Sequence, residues 1–454
     1  MVSNLPRIYR LPHGCFDAAT HARWCALGDT ELQVPILEAA SVEAMWRELD
    51  AAATVWRAVP LEERIEILAR ALDALRLRGP GVWREALSRS AGLSAAGIDA
   101  AWDVTFAPHG IEAVRTALAR EGLDAACLAG LEDAGRLPHR IVHVVAGNVL
   151  PPVLVTLLRG WLLGAAQWLR PAAREPLFAA CLLAELAERV PNVAACTALL
   201  WWPHEDPAAM SVFGSADVVT VQGDDASVES LRAHVAALPH PPRFVGYGAR
   251  WSGAVVSRAA QTPATAAALA QDVALFDQQG CLSPTIVFAE HGARLDEWCA
   301  RLAGALADCE ARMPRGAIDP VARAALRHWH EDVRVELALG EVEAIWEEAT
   351  RWGVIRLARC GFHDTPLDRH VVVVPFAESG EIADALGVRL AKLQGLGVAL
   401  DGWEESERLR LLAELRPTRV AAVGTLQSAP LAWAQDHHPP FASLLAPAPA
   451  APAH

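Results

Sequence analysis

One cysteine lies in a setting that suits a reacting thiol. Cys281 belongs to the stretch Gln271–Phe288, where it follows Gly280 in a polar turn between an apolar helix and the β-rich run Thr285–Phe288. The thiolate is the reactive form of cysteine, and helix N-termini and backbone donors lower the pKa of a thiol. We therefore interpret Cys281 as a nucleophile that accepts an acyl group. The alternative is a small buried residue at the entrance of a strand.

A polar amide interrupts an apolar strand–turn–helix connection earlier in the chain. Asn148 follows Ala146 and Gly147 at the end of the β-rich run Ile141–Val145. A side-chain amide at this point can donate to a developing oxyanion. The alternative is turn chemistry, because asparagine favours such turns without any catalytic role.

Three further positions at predicted strand ends suit a phosphate or ribose ligand. Arg170 precedes Pro171 and either binds such a group or is a surface charge. Gly223 precedes Asp224 and Asp225, and two interpretations stay open: the glycine lets a phosphate approach a helix N-terminus, or one of the two aspartates simply caps that helix. Tyr247 lies between two glycines, but Gly246-Tyr247-Gly248 is not a full GxGxxG fingerprint.

No metal site is expected. The run Asp436-His437-His438 offers a proton donor or metal ligands, but no matching His/Cys cluster stands at ligand spacing. GxSxG, HExxH and Walker A patterns are absent from the sequence.

Composition limits the function classes. A length of 454 residues predicts two or three domains, and 53% hydrophobic residues allow sizeable cores. The net charge of −14 argues against nucleic-acid binding and against an anionic membrane surface. Polar residues and prolines interrupt the most apolar region, Ile141 to Leu169, so we expect no membrane span. Nine cysteines without a CxxC pattern favour a reduced, cytoplasmic protein.

Hydrophobic periodicity predicts a helical N-terminal region followed by alternating strands and helices. Apolar residues recur at helical spacing between Ser41 and Leu118, with predicted helices that include Leu61–Leu77 and Ala96–Leu118. From Arg140 onward we predict a βαβαβ order, which favours parallel, doubly wound sheets that bind ligands at their carboxyl edges. Later predicted elements include a strand at His370–Phe376 and a helix at Ile382–Leu393. The Ala/Pro-rich tail, Ala446–His454, is predicted to be disordered.

Several stretches together resemble a known family. The segment HVVAGNVLPPVLVTLLRGWLLGAAQWLRPA resembles the strand–Asn–helix–strand unit of the aldehyde dehydrogenase superfamily. The segments FDQQGCLSPTIVF, LQGLGV and VGTLQSAPLAWAQDHHPP resemble its acyl-CoA reductase branch, the LuxC-like fatty acyl reductases. The resemblance covers roughly Ile141 to Phe441, and its most specific part is the segment with Cys281.

The resemblance implies a fold and a set of roles. It implies an aldehyde-dehydrogenase-like α/β protein of two doubly wound domains behind a helical N-terminal region. Cys281 matches the acylated cysteine, and Asn148 matches the amide that forms an oxyanion hole with the Cys281 N–H. The contacts to the nicotinamide cofactor fall on one set of residues, which is Ala146, Gly147, Arg170, Pro171, Gly223, Asp224 and Tyr247. Arg170 replaces a lysine of the superfamily and suits a 2′-phosphate, so NADPH is expected and NADH is the alternative.

Two departures from the superfamily pattern matter. Asp224 stands where a serine or threonine commonly follows the glycine, and its charge would repel a pyrophosphate. The glutamate that activates water in hydrolytic members would fall near Gly246, where no carboxylate is present. Without that base, water should attack an acyl-enzyme slowly. His437 is a candidate for the proton donor, and only its residue type supports this role.

These observations predict an NADPH-dependent reductase that converts an acyl thioester, on CoA or on a protein, into an aldehyde. The alternatives are an aldehyde dehydrogenase that forms an acid or acyl-CoA, and a non-reducing acyl-carrier or scaffold subunit. The predicted ranges are 1–254 for the helices and dinucleotide domain, 255–425 for the catalytic domain, 426–445 for a return segment and 446–454 for the tail. An acyl-protein synthetase partner and a homo-oligomer are expected, without nucleic acid.

Overall fold

The protein was analysed as a computed structural model that describes residues 9–11, 22–27, 30–35, 37–147, 149–203, 206, 210–348 and 351–447. Contacts divide the chain into two compact units. Unit 1 comprises Met1–Ala91, Trp102–Gly248 and Pro430–His454, and unit 2 comprises Gly92–Ala101 and Ala249–Ala429. The domain ranges given above stay a prediction. The predicted tail lies outside the described residues from position 448 onward.

The N-terminal region is a short hairpin followed by helices. The strands β1 (Ala22–Leu27) and β2 (Thr30–Pro35) pair antiparallel. The helices are α1 (Ala39–Arg57), α2 (Leu61–Arg78), α3 (Arg84–Ala91), α4 (Ala95–Phe106), α5 (Ile111–Arg120) and α6 (Ala125–Asp133). The single helix predicted over Ala96–Leu118 is wrong, because the chain is extended at Gly110, where ψ is 167°.

Unit 1 is built on a parallel sheet of five strands within the described residues, in the order β5-β4-β3-β6-β7. The strands are β3 (Arg140–Val144), β4 (Ala166–Arg170), β5 (Thr197–Leu199), β6 (Val218–Gln222) and β7 (Arg243–Tyr247). The helices between them are α7 (Pro151–Leu163), α8 (Leu177–Arg189), α9 (Pro191–Ala195) and α10 (Asp225–Ala236). All five residues of β4 are buried, as expected for a parallel strand covered on both faces.

Unit 2 contains a larger sheet, with seven strands among the residues that the structure describes, in the order β10-β11-β12-β9-β8-β13-β14. Its strands are β8 (Trp251–Val256), β9 (Pro284–Glu290), β10 (Val342–Glu348), β11 (Trp352–Leu357), β12 (His370–Phe376), β13 (Leu393–Ala399) and β14 (Arg419–Ala422). Its helices are α11 (Pro263–Ala274), α12 (Leu295–Arg312), α13 (Pro320–Leu339), α14 (Gly380–Leu386) and α15 (Glu405–Leu415). Neighbouring strands run parallel except β10 and β11, which are antiparallel.

The predicted α/β class and parallel strand order are confirmed, while some element predictions need correction. The helix predicted over Ile382–Leu393 ends at Leu386, and a 3-10 segment continues to Lys392. The strand β8 was not predicted, although it lies in the middle of the unit 2 sheet. The strand β8 is short and begins at Trp251, soon after β7 ends at Tyr247. Hydrophobic periodicity therefore did not separate it from the preceding strand and turn.

Candidate active site

Cys281 lies where the sequence predicts it, on the turn that leads into β9. We call residues 275–283 the cysteine turn. It follows α11, contains a 3-10 segment over Leu275–Gln278, and closes with a bond from the Ser283 N–H to the Gly280 carbonyl at 2.9 Å. Cys281 itself is half-buried. A thiol at this position is held by ordered backbone while part of its surface stays accessible.

A buried serine fixes the Cys281 peptide. The Ser252 hydroxyl donates to the Cys281 carbonyl at 2.6 Å and accepts from the Gly395 N–H at 2.9 Å, and Ser252 is 0% exposed. Position 395 must be glycine, because an added Cβ would lie 2.6 Å from that hydroxyl. Neighbouring strands β8 and β13 therefore hold the cysteine turn through one hydroxyl group, which links the LQGLG stretch to Cys281 in space.

A second contact holds the residues that follow Cys281. The Gln427 amide donates to the Ser283 hydroxyl at 2.6 Å and to the Asp272 carbonyl at 3.0 Å. The Asp272 carboxylate accepts from the Gly424 N–H at 2.6 Å and from the Leu426 N–H at 3.1 Å. The VGTLQS stretch thus packs on the cysteine turn, which gives a physical reason why both segments carry the resemblance.

Five other thiols lie in surroundings that disfavour the thiolate. Burial raises the pKa of Cys196 and Cys299 to about 12 and the pKa of Cys360 to about 11. It also raises the pKa of Cys181 and Cys309. A higher pKa lowers the thiolate fraction at neutral pH. Cys127 lies in the first turn of α6 and is half-buried.

In unit 1, the predicted cofactor residues lie at the carboxyl ends of β3, β4, β6 and β7. Ala146 and Gly147 follow β3, and Pro171 follows β4. The Val145 N–H donates to the Arg170 carbonyl at 3.2 Å, and a Cβ added at Gly147 would lie 2.4 Å from the Ala172 Cβ. The structure therefore brings the Ala146–Gly147 turn against the Pro171 connection, and a glycine is required at 147.

Arg170 is a buried cation at the end of β4. Its side chain is 9% exposed, and its Nε donates to the Trp202 carbonyl at 2.9 Å. The guanidinium lies 5.8 Å and 5.7 Å from the ring centroids of Trp201 and Trp202. Burial lowers the pKa of Arg170 to about 10. In the described part of the chain, no carboxylate forms an ion pair with it, which suits an external anion such as a phosphate.

Asp224 caps helix α10. Its Oδ1 accepts from the Ser227 N–H at 2.7 Å. Hydrogen bonds from the backbone and the side chain of Ser227 lower the pKa of this exposed carboxyl group. The capping alternative is therefore present in the structure. Gly223 is not sterically required, since an added Cβ would lie at an ordinary 3.5 Å from the Ser227 Cβ. A phosphate at this helix N-terminus would meet the capping carboxylate.

Gly246 has no room for a side chain. An added Cβ would lie 2.7 Å from Val228 Cγ1 and 3.0 Å from an Arg232 nitrogen. Position 246, near which the resemblance would put a water-activating glutamate, is thus closed to a side chain. Tyr247 next to it is 4% exposed, and burial raises the pKa of its phenol.

The sequence named both His437 and His438 and preferred His437 as the proton donor, and the structure gives the two rings different surroundings. The His438 ring lies edge-on to Tyr247 at 5.3 Å and donates to the Gly246 backbone, whereas His437 is exposed. Burial lowers the pKa of His438, and Asp436 opposes that effect. The imidazole therefore lies beside Gly246 and Tyr247, at the carboxyl end of β7. No sequence signal separates these two adjacent histidines.

Asn148 lies outside the described residues, so its role in an oxyanion hole stays a prediction. No group of three or more His, Cys, Asp or Glu residues within the described ranges could hold a metal ion. In the same part of the chain, no helix combines the length and hydrophobicity needed to cross a membrane.

Comparison with known families identifies the chain. The acyl-CoA reductase (LuxC) family model matches residues 136–443, which is more than half of the sequence. The chain belongs to this family. The match extends over both units and includes Cys281 and the stretches that hold its turn.

Curated relatives of this acyl-CoA reductase family member include proteins from Vibrio and Photobacterium species. It is 22% identical over 280 residues to the long-chain acyl-protein thioester reductase of Vibrio harveyi, covering 60% of this chain and 55% of that protein. It is 22% identical over 295 residues to long-chain acyl-protein thioester reductase 2 of Photobacterium leiognathi, covering 62% and 58%. The chain thus spans a little over half the length of the curated relatives it matches.

Solved structures confirm the predicted aldehyde-dehydrogenase-like fold. An NAD-dependent benzaldehyde dehydrogenase from Corynebacterium glutamicum superimposes with a TM-score of 0.65 at 14% identity, covering 92% of this chain and 95% of that one. Aldehyde dehydrogenase 21 from Physcomitrella patens gives 0.68 at 14% identity, covering 92% and 90%. At this identity the likeness concerns the fold.

Proposed function

We propose that this chain reduces an acyl thioester to an aldehyde through an acyl group carried on Cys281. The observation that carries the proposal is the cysteine turn, where a half-buried thiol stands on backbone fixed by buried Ser252 and by Gln427. Family membership supports the same reaction class. The names of the curated relatives support a long-chain acyl group on a protein as the substrate.

The first half-reaction transfers the acyl group. The Cys281 thiolate attacks the thioester carbonyl carbon and forms a new carbon–sulfur bond, the bond from that carbon to the donor sulfur breaks, and the donor leaves as a thiolate. We assign the Cys281 N–H and the Asn148 amide to the oxyanion that forms. The Ser252 bond to the Cys281 carbonyl holds the peptide group between Cys281 and Leu282, which is next to the one that carries the Cys281 N–H. Fixed donors at a developing oxyanion are typically the strongest contribution to such a step.

The second half-reaction needs a nicotinamide cofactor, which supplies a hydride to the acyl carbon when bound. The residues at the strand ends of unit 1 would hold it. Among them, the turn at Gly147 packs tightly against Ala172, and the buried Arg170 would bind an anionic group of the cofactor. A buried guanidinium without a carboxylate partner in the described residues favours a 2′-phosphate, so we propose NADPH with NADH as the alternative. Cys281 then releases the aldehyde from a thiohemiacetal and regains its thiol. We assign the proton transfer to no residue.

Water should be a poor acceptor for the acyl group. The closed position at Gly246 leaves no place for a glutamate base. This observation counts against an aldehyde dehydrogenase that forms an acid, because its acyl-enzyme must be hydrolysed.

A second candidate is a non-reducing subunit that only carries the acyl group. The capping carboxylate of Asp224 favours it, since this charge opposes a pyrophosphate at the N-terminus of α10. Such a subunit would transfer acyl groups between thiols without consuming NADPH. We further propose an acyl-protein synthetase as partner, a homo-oligomeric state and a cytoplasmic location, the last because the nine cysteines of the sequence include no CxxC pattern.

A spectrophotometric assay tests the proposal. Oxidation of NADPH and of NADH is followed against a panel of acyl-CoA thioesters, with Cys281→Ala as the matched variant. We expect chain-length-dependent NADPH oxidation and aldehyde formation that Cys281→Ala abolishes. Aldehyde formation by Cys281→Ala would refute the proposal. Acyl exchange without NADPH oxidation would favour the carrier subunit.

A further inference from the structure

Two backbone segments in unit 2 adopt an unusual conformation and face each other. Phe276, Asp277 and Gln278 have positive φ angles of 55°, 49° and 64°. Residues 367–369, which we call the opposing turn, have φ angles of 65°, 54° and 67°. None of these six residues is glycine, and left-handed backbone is unfavourable for other residues. Such conformations persist only where surrounding contacts enforce them.

An ion pair joins the two segments. The Arg369 guanidinium donates to Asp277 Oδ1 from Nε at 2.9 Å and from Nη2 at 2.5 Å. Its Nη1 donates to Glu310 at 2.9 Å, and Asp277 Oδ2 accepts from the Gly316 N–H at 2.9 Å. The side chains of Arg369 and Asp277 are 1% and 7% exposed. Each charge therefore has several partners, as a buried ion pair requires.

Gln278 makes the contacts closest in sequence to the nucleophile. Its Nε2 donates to the Pro284 carbonyl and to the His370 carbonyl, both at 2.8 Å, and its Oε1 accepts from the His370 N–H at 2.9 Å. Gln278 and Pro284 stand on either side of Cys281 in the sequence. Their bond therefore joins the two ends of the segment that contains the nucleophile. Gln278 is 1% exposed. We call the bonds of Gln278, Gln279 and Arg369 across the two segments the clasp.

His370 holds the opposing turn on its other side. Its Nδ1 contacts the Asp368 carbonyl at 2.9 Å, which can only accept, so this nitrogen carries the proton. Its Nε2 contacts His330 Nε2 at 3.1 Å, and His330 Nδ1 contacts Glu347. The clasp is thus anchored through a buried polar chain that reaches α13 and β10.

We propose that Gln278 is a positioning residue for Cys281, and that the clasp sets the direction of the Cys281 N–H and thiol. The proposal rests on the proposed function, since it assigns the rigidity to acyl transfer at Cys281. Ser252 fixes the carbonyl of Cys281 on one side of the turn, and Gln278 fixes the main chain on the other. Neither residue needs to touch the acyl group. A misplacement of about 1 Å is enough to cost on the order of 10²-fold in rate.

The test uses Gln278→Met, which keeps the side-chain volume and removes three hydrogen bonds. Gln261→Met is the matched control, because Gln261 donates to the Glu290 carbonyl at 2.6 Å, at the far end of the same strand β9. Two quantities are measured on the full chain. One is the rate of Cys281 acylation by acyl-CoA, from mass spectra at increasing thioester concentration. The other is hydrogen exchange of the peptide that contains residues 275–284.

We expect Gln278→Met to lower the maximal acylation rate on the order of 10²-fold. The acyl-CoA concentration at half-maximal rate should change less than about twofold, because the clasp does not contact the acyl donor by this account. Exchange of the cysteine turn should become faster. Gln261→Met should leave the maximal acylation rate, the half-saturating concentration and the exchange as in the wild type. A lower maximal rate at an almost unchanged half-saturating concentration distinguishes a positioning role from a general loss of structure.

Wild-type acylation or wild-type exchange in a folded Gln278→Met variant would overturn the proposal. If that variant does not fold, Gln279→Leu replaces it, because this change removes only the 3.2 Å bond to Asp368. It should slow acylation by about 2- to 10-fold, and no change would equally overturn the proposal. If the wild type never acylates Cys281, the proposed function fails instead. In that case, hydrogen exchange of residues 275–284 in Gln278→Met still tests whether the clasp holds the cysteine turn.

Discussion

The two units hold their candidate groups in different ways. In unit 2, the backbone around Cys281 is bonded by buried side chains from before and after it in the sequence, namely Ser252, Gln278 and Gln427. In unit 1, the candidates are separate side chains at strand ends, where Arg170 is buried and Asp224 is exposed. The difference follows from the chemistry, because a covalent step needs donors fixed in advance, whereas a large cofactor is held by many weaker contacts.

Ser252→Ala tests the fixed backbone of unit 2 and should give the largest effect. It leaves the Cys281 carbonyl and the Gly395 N–H without their buried partner. We expect acylation to slow by about 10²-fold, because a misplacement of the reacting group by about 1 Å can cost that much in rate. Stopped-flow release of CoA measures it. Ser257→Ala is the control, because Ser257 is equally buried and donates to the Asp401 carbonyl at 2.8 Å. Equal rates for the two variants would contradict the assignment.

Arg170→Gln tests the looser site of unit 1. Removing a charge-assisted contact to a 2′-phosphate should raise the KM for NADPH by about 10- to 100-fold. The KM for NADH should change little, since NADH lacks that phosphate. Steady-state kinetics with both cofactors measure the ratio, with the exposed Arg174→Gln as control. A parallel rise for both cofactors would remove Arg170 from cofactor selection.

Acid should weaken both units through buried neutral histidines. Burial lowers the pKa of His143 in unit 1 and of His370 in unit 2 to about 3, against 6.5 unperturbed. Between these values the unfolded chain binds a proton that the folded chain does not, so stability is present above pH 6.5 and is lost as pH falls. Each histidine contributes a slope of at most about 1.4 kcal/mol per pH unit.

Calorimetry between pH 7 and pH 4.5 measures this loss. His143→Gln and His370→Gln should each flatten the dependence of Tm on pH, relative to the wild type. An unchanged slope in either variant would show that the histidine does not stay neutral in the folded state.

Asp224→Ser should produce the smallest effect. Serine still caps a helix but removes the charge at the N-terminus of α10. If the cofactor phosphates lie near this helix, dinucleotide binding should tighten by about two- to fivefold. Fluorescence titration with NADPH measures it. Asp124→Ser is the matched control, since Asp124 caps α6 with the same 2.7 Å bond. Unchanged affinity would place the phosphates elsewhere.

Local signals were sufficient for part of this site. Glycine, polar residues and a following β-rich run predicted the turn of Cys281, and a helix cap at Asp224 was one of the two alternatives that the sequence left open. Local patterns identify turns and caps because those structures depend on neighbouring residues. The strand ends of unit 1 followed from the same alternation of elements.

Contacts distant in sequence were not predictable in this way. Gln278 bonds His370, which lies 92 residues later, and the opposing turn contains no glycine to mark its left-handed backbone. Ser252 lies on a strand that the apolar pattern did not separate from its neighbour. Gly395 was the available signal, because a glycine inside a strand often marks a close approach.

Trapping the acyl group on Cys281 tests the central claim most directly. The full chain is mixed with a long-chain acyl-CoA in the absence of NADPH, digested, and mapped by mass spectrometry. The account predicts one acyl group per chain on the peptide with Cys281, stable to water and converted to an equal amount of aldehyde when NADPH is added. An acyl group on another cysteine, or its release as free acid, would contradict it.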